Sequence, residues 1–472
     1  MARLTRAAHL LAILLALLLP TPTTAQEELP PPAPLGPYYI VQSGDSLFTI
    51  AQAFGLTVDA LVSANGISDP NALAIGQQLT IPGLDGVSGE LAFRTVAPGD
   101  TLLSLAATLA NPIDDLVRLN RIVNPGLLYV GQSLIYTTPL DAAPPGLSEG
   151  RVLVAQPSDT PLTLAARYDL HPTTLETLNA LSHPSLLFSG QRLIAPVAGV
   201  PLSGLPAPMV SLQFVPERPA QGQPVAIRVT VEPGTTVTGQ FGDSALPFFT
   251  LTDTLAVALH GIFAFSTPGL YPFQITATSS SGQSSSYEQF VAVRDAGYEF
   301  QQIYVDGATA GLLDDALVTA EATRVRETTM PVTPTRYWEG PFQAPAPMDR
   351  LTAPFGIRRS YNGGPYNSFH GGLDIGGPST TPVAAPANGV VVLAEPLQVR
   401  GNAVIIDHGW GIYTGYWHLS QLLVAPGQSV VTGQQIGFIG STGLSTGNHL
   451  HWEVWANNYQ VDPLIWMQNT YP

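Results

Sequence analysis

Three copies of one sequence pattern constrain the fold of this chain more than any other feature. Repeats 1, 2 and 3 span residues 38–83, 93–138 and 151–197. In each repeat an Asn, a Gln and a Leu follow an Asp by 20, 32 and 34 residues, as Asp45, Asn65, Gln77 and Leu79 show in repeat 1. Because these offsets agree whereas the linkers differ in length, we predict tandem modules and not a solenoid of fixed period.

Each repeat predicts a β-α-α-β module. In repeat 1, residues 39–42 favour a strand, and apolar residues at helical spacing after Asp45 predict a helix that ends at Gly55. A second helix is expected to end at Asn65-Gly66, and residues 79–81 to close the module as a strand.

The stretches YIVQSGDSLFTIAQAFGLTVDALVSANGI and IGQQLTIP resemble LysM modules, which bind chitin-like and peptidoglycan glycans. The resemblance implies a groove between two loops, near residues 43–47 and 67–74 of repeat 1. The candidate glycan-binding residues are Gly44, Asp45, Asn65, Gly99, Asp100 and Asn120. For Asp45, Asn65 and Gln77 individually, we favour the alternative that they cap and brace the module, whereas for the module as a whole we favour glycan binding. Repeat 3 departs from the pattern, because Ser158 replaces a Gly and Pro161 enters the first helix, where only the first turn tolerates proline.

The first 25 residues have the layout of a secretory signal peptide. Arg3 and Arg6 precede an apolar run of 13 residues, and Thr23-Thr24-Ala25 is a small-residue cleavage site. A membrane-spanning helix needs about 20 apolar residues, so we favour a cleaved signal over an anchor and expect no stable membrane insertion afterwards. We expect residues 26–37 to form a stiff Pro-rich leader of an extracytoplasmic chain.

Charge and composition exclude several classes of protein. The formal net charge of −16 disfavours nucleic acid and anionic lipid as main partners, since both attract clustered positive charge. The absence of cysteine excludes disulfides, thiolate metal sites and a cysteine nucleophile. The 45 Gly and 44 Pro residues predict many turns and short strands.

The middle of the chain predicts structure without chemistry. Apolar and polar residues alternate over residues 207–295, with turn residues about every ten positions, which predicts an all-β, immunoglobulin-like sandwich that acts as a spacer. Within residues 296–347 we predict a helix over 308–327 and then a Pro-rich connector.

Histidines cluster in the last part of the chain, residues 348–468. His370 and Asp374 form H-x-x-x-D, His449 and His451 form H-x-H, and His418 lies between them in sequence. Imidazole and carboxylate are ligands that Zn²⁺ favours, and a catalytic zinc site needs three protein ligands. On a strand, His449, His451 and Glu453 would share one face, so that one His can bind metal while the other stays free.

The contexts SFHGGLDIGGP, GYWHLS and GNHLHWEV resemble the LytM/lysostaphin-type zinc endopeptidases. The resemblance implies an all-β domain of the duplicated-hybrid-motif kind, one Zn²⁺ per chain held by His370, Asp374 and His451, and a catalytic pair of His418 and His449. Further residues expected to support the site or shape its groove are Glu453, Asn402, Arg358 and Trp417. The chain has no H-E-x-x-H motif, so a thermolysin-like helix is not supported.

The two resemblances together predict a multidomain, secreted, cell-wall-associated zinc metalloendopeptidase. It would hydrolyse crosslinks or stem peptides of peptidoglycan while the LysM modules hold the glycan strands. Two alternatives stay open: a non-hydrolytic, peptidoglycan-binding regulator of separate amidases, and a passive wall-binding scaffold with a structural zinc. The sequence leaves open which bond is cut, which of His418 and His449 is the base, and whether residues 296–347 cover the groove.

Overall fold

The computed structural model describes most of the chain after the expected leader. The described residues are 36–84, 86–124, 127–138, 149–168, 170–179, 181, 187–197, 202–305, 307 and 311–472. The predicted signal peptide and nearly all of the leader lie outside them. Within these ranges no single helix is long and apolar enough to cross a membrane, and one bent pair, Leu47–Ala53 with Val58–Asn65, meets the length and hydropathy criteria only jointly.

All three repeats show the predicted β-α-α-β order. Repeat 1 consists of Pro37–Ile40, Leu47–Ala53, Val58–Asn65 and Gln78–Thr80. Repeat 2 consists of Gly89–Thr95, Leu102–Thr108, Ile113–Asn120 and Ser133–Thr138. Repeat 3 consists of Arg151–Val154, Pro161–Arg167, Pro172–Leu178 and Arg192–Ala195. Pro161 is the first helical residue, where its missing N–H costs no hydrogen bond.

The repeated Asp and Asn residues brace the modules. The carboxylate of Asp45 accepts hydrogen bonds from Gln42 N (2.7 Å) and from the Tyr39 hydroxyl (2.8 Å). The Asn65 side chain accepts from Thr80 N (2.6 Å) and donates to Leu61 O (2.8 Å), which ties the second helix to the last strand. The equivalent Asn side chains of the other repeats make the same bonds, to Ile135 and to Ile194. These bonds support the bracing role that we favoured from sequence for Asp45 and Asn65, and the choice between bracing and glycan binding stays a prediction.

Repeats 1 and 2 share one sheet. Strand Pro37–Ile40 pairs parallel with Gly89–Thr95, and Gln78–Thr80 and Ser133–Thr138 complete four strands. Repeat 3 keeps a separate antiparallel pair, Arg151–Val154 with Arg192–Ala195. A shared sheet fixes the orientation of the first two modules through main-chain hydrogen bonds.

Residues 209–293 form two four-stranded sheets around a common core. One sheet contains Ser244–Leu246, Thr236–Phe241, Gly269–Thr278 and Ser284–Val293, and the other contains Phe249–Thr252, Leu255–Gly261, Pro224–Val231 and Met209–Val215. Phe214 and Phe273, both fully buried, meet edge to face with ring centroids 4.8 Å apart. We call this unit the sandwich; its immunoglobulin-like topology stays a prediction.

The segment after the sandwich is integrated into the last domain more closely than a connector would be. Strand Phe300–Ile303 pairs parallel with Arg358–Tyr361, which the sequence analysis did not foresee. A short 3-10 helix, Gly311–Leu313, precedes the helix Asp315–Thr329. This helix begins later than predicted because the Asp314 side chain caps it by accepting from Leu317 N (3.0 Å).

The last domain is built on an eight-stranded sheet. Seven strands run in the order Leu351–Ala353, Leu373–Gly376, His449–Ala456, Ile412–Leu419, Asn402–Gly409, Gly389–Pro396 and Ser429–Val430, with Tyr459–Val461 paired to His449–Ala456. The remaining elements are Met348–Arg350, Arg358–Tyr361, Ser368–Phe369, Pro382–Ala384, Gln421–Leu422, Gln435–Phe438 and the helix Pro463–Gln468. The central strands are buried on both faces, which explains their long apolar runs. The duplicated-hybrid-motif description stays a prediction.

The sandwich packs directly against the last domain. The Phe249 ring stacks on Trp410 with centroids 4.6 Å apart, and Val257 and Leu259 belong to the core of the last domain. Buried His260 accepts a hydrogen bond at Nδ1 from Asn457 Nδ2 (3.2 Å). The spacer interpretation is therefore incomplete, because this face of the sandwich supports the sheet of the last domain.

Two buried histidines should make folding stability depend on pH. Burial lowers the pKa of both His260 and His408 from 6.5 to about 4. The unfolded chain therefore takes up these protons at a higher pH, and the stability that is complete above pH 6.5 is lost as pH falls towards 4. The loss amounts to about 3 kcal/mol per histidine. Urea unfolding between pH 7.5 and 4.5 measures it; His260→Gln should show a shallower loss, and an unchanged slope would contradict this account.

Candidate metal centre

One strand pairing brings the predicted ligands together. Leu373–Gly376 runs antiparallel to His449–Ala456, and the register places Asp374 opposite His451. His370 comes from the turn that leads into the first of these strands. Gly372 lets that turn lie against the sheet, because a Cβ there would stand 2.2 Å from Trp452 O. The glycines that the sequence places after His370 are thus explained by close backbone approach.

Three ligand atoms converge on one point. His370 Nε2 lies 2.9 Å from Asp374 Oδ1, His451 Nδ1 lies 2.7 Å from the same oxygen, and the two ring nitrogens are 3.0 Å apart. Within the described part of the chain, this is the group of histidine and carboxylate side chains whose geometry suits a metal ion.

The outer hydrogen bonds of these side chains show that a cation fits. His370 Nδ1 donates to Pro354 O (2.6 Å), and burial lowers the pKa of His370 so that the ring is neutral. Its Nε2 therefore carries no proton, and the lone pair of this nitrogen faces a lone pair of Asp374 Oδ1. A cation removes that repulsion, and two imidazole nitrogens with one carboxylate oxygen are a donor set that suits Zn²⁺.

The charges of Asp374, His451 and Glu453 also favour a cation at this site. Burial alone would raise the pKa of Asp374, but His451 and His370 outweigh burial and hold that pKa well below its usual range. Burial would likewise lower the pKa of His451, but Asp374 and Glu453 raise it to about 9. The position of the His451 ring, between the carboxylates of Asp374 and Glu453, therefore strongly favours positive charge.

Glu453 is the outer support of His451. Its Oε1 accepts from His451 Nε2 (2.9 Å), while its Oε2 accepts from Gln460 Nε2 (2.7 Å). The carboxylate is buried, so it orients His451 and does not face solvent. Of the two roles expected for Glu453, supporting the site or shaping its groove, the geometry favours support of the site.

His418 and His449 form a pair beside the ligand cluster. Their ring centroids are 4.9 Å apart, and His449 Nε2 lies 3.7 Å from Asp374 Oδ1. His418 Nδ1 donates to Thr442 O (2.8 Å) and His449 Nδ1 to Gly447 O (2.8 Å). In both rings the main chain holds the Nδ1 proton, so Nε2 is left for chemistry.

His418 has an unusual backbone and a shifted pKa. Its φ of 64° lies in the left-handed region that non-glycine residues seldom adopt, and such strain clusters at functional sites. Burial, with smaller effects from His451 and His449, lowers the pKa of His418 to about 3. The ring is therefore neutral near pH 7, and its Nε2 carries no proton.

A groove of about 560 Å³ opens over the cluster. Residues 301–305 form one wall and residues 444–449 another, with Asp374, His418, His449 and His451 on its surface. Strand Phe300–Ile303 thus contributes a wall that lies outside the predicted domain boundary of 348–468.

The four supporting residues have different positions. Asn402 braces the site, because its N donates to Thr442 Oγ1 (2.9 Å) and the Thr442 carbonyl holds His418. Arg358 lies at the sandwich interface, with its guanidinium 4.1 Å from the Phe265 ring centroid and a hydrogen bond to Ala264 O.

Trp417 is buried beside Trp455 and does not line the groove, so the prediction that it shapes the groove wall is wrong. The alternating direction of strand side chains explains this, since His418 and Trp417 are neighbours.

Arg359 and Thr442 are site residues that the sequence analysis missed. Arg359 lines the groove, with Nη2 3.5 Å from Asp374 Oδ2 and Nε donating to Gln301 Oε1 (3.3 Å). The adjacent Arg358 and Arg359 could have indicated this, because adjacent residues of a strand face opposite sides and one of the two must then face the groove side. No sequence spacing links Thr442 to His418.

The domains are identified by comparison with known families. Residues 368–463 match Peptidase family M23, and residues 39–82, 95–136 and 154–196 match the LysM domain. The chain contains an M23 peptidase domain and three LysM domains. The M23 match covers the whole ligand cluster and both histidines of the pair.

Named relatives resemble the M23 part of the chain. A DD-carboxypeptidase/endopeptidase, Mpg, of Neisseria gonorrhoeae is 43% identical over 115 residues, which are 24% of this chain and 26% of that protein. The peptidoglycan DD-endopeptidase ShyA of Vibrio cholerae is 42% identical over 115 residues, 24% of this chain and 27% of that protein. The alignments span about a quarter of each of these relatives. The solved catalytic domain of lysostaphin from Staphylococcus simulans is 31% identical, with 28% of this chain and 93% of that chain covered and a TM-score of 0.21.

Substitutions should separate metal binding from the histidine pair. Asp374→Asn should lose stoichiometric zinc, because the remaining donors are neutral. Glu453→Gln should weaken zinc affinity about 10- to 100-fold through misorientation of His451. Competition with a chromophoric chelator measures both. His449→Ala is the control that should keep zinc; equal loss of zinc in all three variants would contradict the separate roles.

Proposed function

We propose that the protein is a secreted, cell-wall-associated zinc metalloendopeptidase that cleaves peptide bonds in peptidoglycan. The observation that carries the proposal is the convergence of His370, Asp374 and His451 beside two histidines whose Nε2 atoms are free. The M23 match and the relatives that act as peptidoglycan DD-endopeptidases support it. The three LysM matches support a polymeric glycan as the surface on which the enzyme works.

His418 and His449 would supply the proton-transfer and hydrogen-bonding groups of the reaction. Zinc held by His370, Asp374 and His451 would supply a Lewis acid beside the scissile carbonyl. His418 and His449 point Nε2 into the groove, so one ring can take a proton from the attacking water. The other can hydrogen-bond to the carbonyl oxygen as negative charge develops there. The main-chain bonds of both Nδ1 atoms keep these tautomers fixed.

Arg359 gives the groove a preference for a carboxylate. Among the described residues that line the groove, it is the only Arg or Lys. No hydrogen bond among the described residues uses its Nη1. A guanidinium with free donors binds carboxylate strongly, and stem peptides carry free carboxylates. We propose that Arg359 binds one of them next to the scissile bond.

The regulator and scaffold alternatives have less support. A non-hydrolytic regulator does not need three convergent ligand atoms together with two poised histidines. A structural zinc would not need an open groove of about 560 Å³ beside it.

Digestion of purified peptidoglycan sacculi tests the activity directly. The chain from Gln26 should release peptides with new termini, identified by mass spectrometry, and His449→Ala should be at least about 100-fold slower because a proton-transfer group is lost. The variant should contain zinc as the wild type does. If zinc-loaded wild type releases nothing from sacculi of several crosslink types, the regulator becomes the better account.

Substitution of Arg359 tests the carboxylate preference. On a defined cross-linked peptide, Arg359→Gln should raise KM about tenfold with a smaller change in kcat, since a charge-assisted hydrogen bond to substrate is lost. Arg359→Lys should recover part of this. An amidated peptide should show little difference between wild type and Arg359→Gln. If zinc content falls instead, Arg359 serves Asp374 and not the substrate.

A further inference from the structure

We infer that the three LysM domains have different tasks. The loops of repeat 2 that correspond to the glycan groove bind the sandwich, so this repeat is an internal adaptor, and repeat 1 carries the glycan. This inference rests on the proposed function, in which the LysM domains hold peptidoglycan.

The first loop of repeat 2 is occupied by the chain itself. Gly99 N donates to the Tyr287 hydroxyl (2.9 Å) of the sandwich, and Gly99 O accepts from Gly204 N (2.6 Å). A Cβ at Gly99 would lie 3.0 Å from the Leu205 side chain, so this side chain lies close against the loop. The main-chain groups of this loop are therefore already bonded.

The second loop of repeat 2 joins the sandwich as a strand would. Val130 N donates to Phe290 O (2.8 Å) and Ala292 N donates to Val130 O (3.0 Å), a parallel bridge to Val291. The Val130 side chain is fully buried in the sandwich core. Gln289 Nε2 also donates to Leu128 O (3.3 Å). Gly99 of the first loop and Val130 at the end of the second loop are thus both bonded to other parts of the chain.

The equivalent positions of repeat 1 are open. A Cβ at Gly44, the counterpart of Gly99, would have no atom within 4 Å. Ile75 follows Asp45 by 30 residues, as Val130 follows Asp100, yet its side chain is 72% exposed whereas Val130 is 0% exposed. Phe48, at the other loop, is 66% exposed. Exposed apolar side chains of this kind suit the apolar faces of a sugar polymer.

Repeat 3 also exposes Leu162 and Phe188, but its other contacts set it apart from repeat 1. Its Asp159 is bound by Arg167, with Nη2 2.6 Å from Oδ1, and neither Asp45 nor Asp100 has a partner on the corresponding helical residue. Its first strand is tied to the segment that precedes the sandwich, because Ala207 N donates to Val152 O (3.0 Å), and Arg151 pairs with Glu232 of the sandwich. Part of its second loop, residues 182–186, lies outside the described residues.

These contacts form a rigid connection between the glycan-binding repeat and the M23 domain. Repeat 1 shares a sheet with repeat 2, repeat 2 is bridged to the sandwich, and the sandwich packs on the M23 domain. The bound glycan would then fix the distance and direction of the groove, instead of tethering it loosely through Pro-rich connectors.

Calorimetric titration of the full chain from Gln26 with N-acetylglucosamine pentamer tests the division of tasks. We expect one binding site per chain and about tenfold weaker binding for Ile75→Glu, with Leu162→Glu in repeat 3 close to wild type. Two or more sites, or unchanged binding by Ile75→Glu, would overturn the inference while leaving the proposed function in place. No binding to pentamer or to sacculi would reject glycan binding itself, whatever the result of sacculus digestion.

A disulfide lock gives an independent test, because the chain has no other cysteine. The double variant Val130→Cys with Val291→Cys should oxidise and still bind the pentamer with wild-type affinity and stoichiometry. Loss of binding on oxidation, restored by a reductant, would mean that repeat 2 must open to bind. Thiols that stay reactive in the folded protein would show that the interface is not formed. Either outcome rejects the adaptor role.

Discussion

The site depends on one strand pairing. Antiparallel hydrogen bonds between Leu373–Gly376 and His449–Ala456 set Asp374 opposite His451. A slip of one residue would turn His451 to the other face of the sheet and bring Leu450 into its place. Apolar burial prevents that slip, since Leu450, Trp452 and Val454 are fully buried in the core of the domain. The hydrophobic alternation of one strand therefore also fixes the geometry of the ligands.

Buried charge around the centre is tolerated because each group has a partner. Glu453 and Asp374 are both buried carboxylates, and each accepts a hydrogen bond from His451 or faces the cation that the ligand atoms require. Farther out, Glu321 of the helix Asp315–Thr329 accepts from Val399 N and Arg400 N, both at 2.9 Å. The helix within residues 296–347 is therefore attached to the last domain by these bonds.

The repeats show how one module can serve two purposes. Internal Asp and Asn bonds specify the module wherever the pattern occurs, so all three copies fold alike. The loops lie outside these internal bonds, so whether a loop also contacts the sandwich determines what it can bind. Gly44 and Gly99 occupy the same place in the pattern and have different surroundings. Repetition in sequence is thus a guide to fold and not to function.

The sequence by itself determined the modules and indicated the candidate ligands and the histidine pair, because each depends on local spacing: fixed offsets in the repeats, H-x-x-x-D, and H-x-H on a strand. Tertiary structure alone decided which neighbours those residues meet. Arg358 and Arg359 are adjacent in sequence, but one packs against Phe265 of the sandwich and the other faces the groove. The burial of Trp417, the groove wall at residues 301–305 and the contacts of repeat 2 with the sandwich likewise arise from packing between residues that are distant along the chain or in different domains. Spacing along a chain carries no record of such contacts.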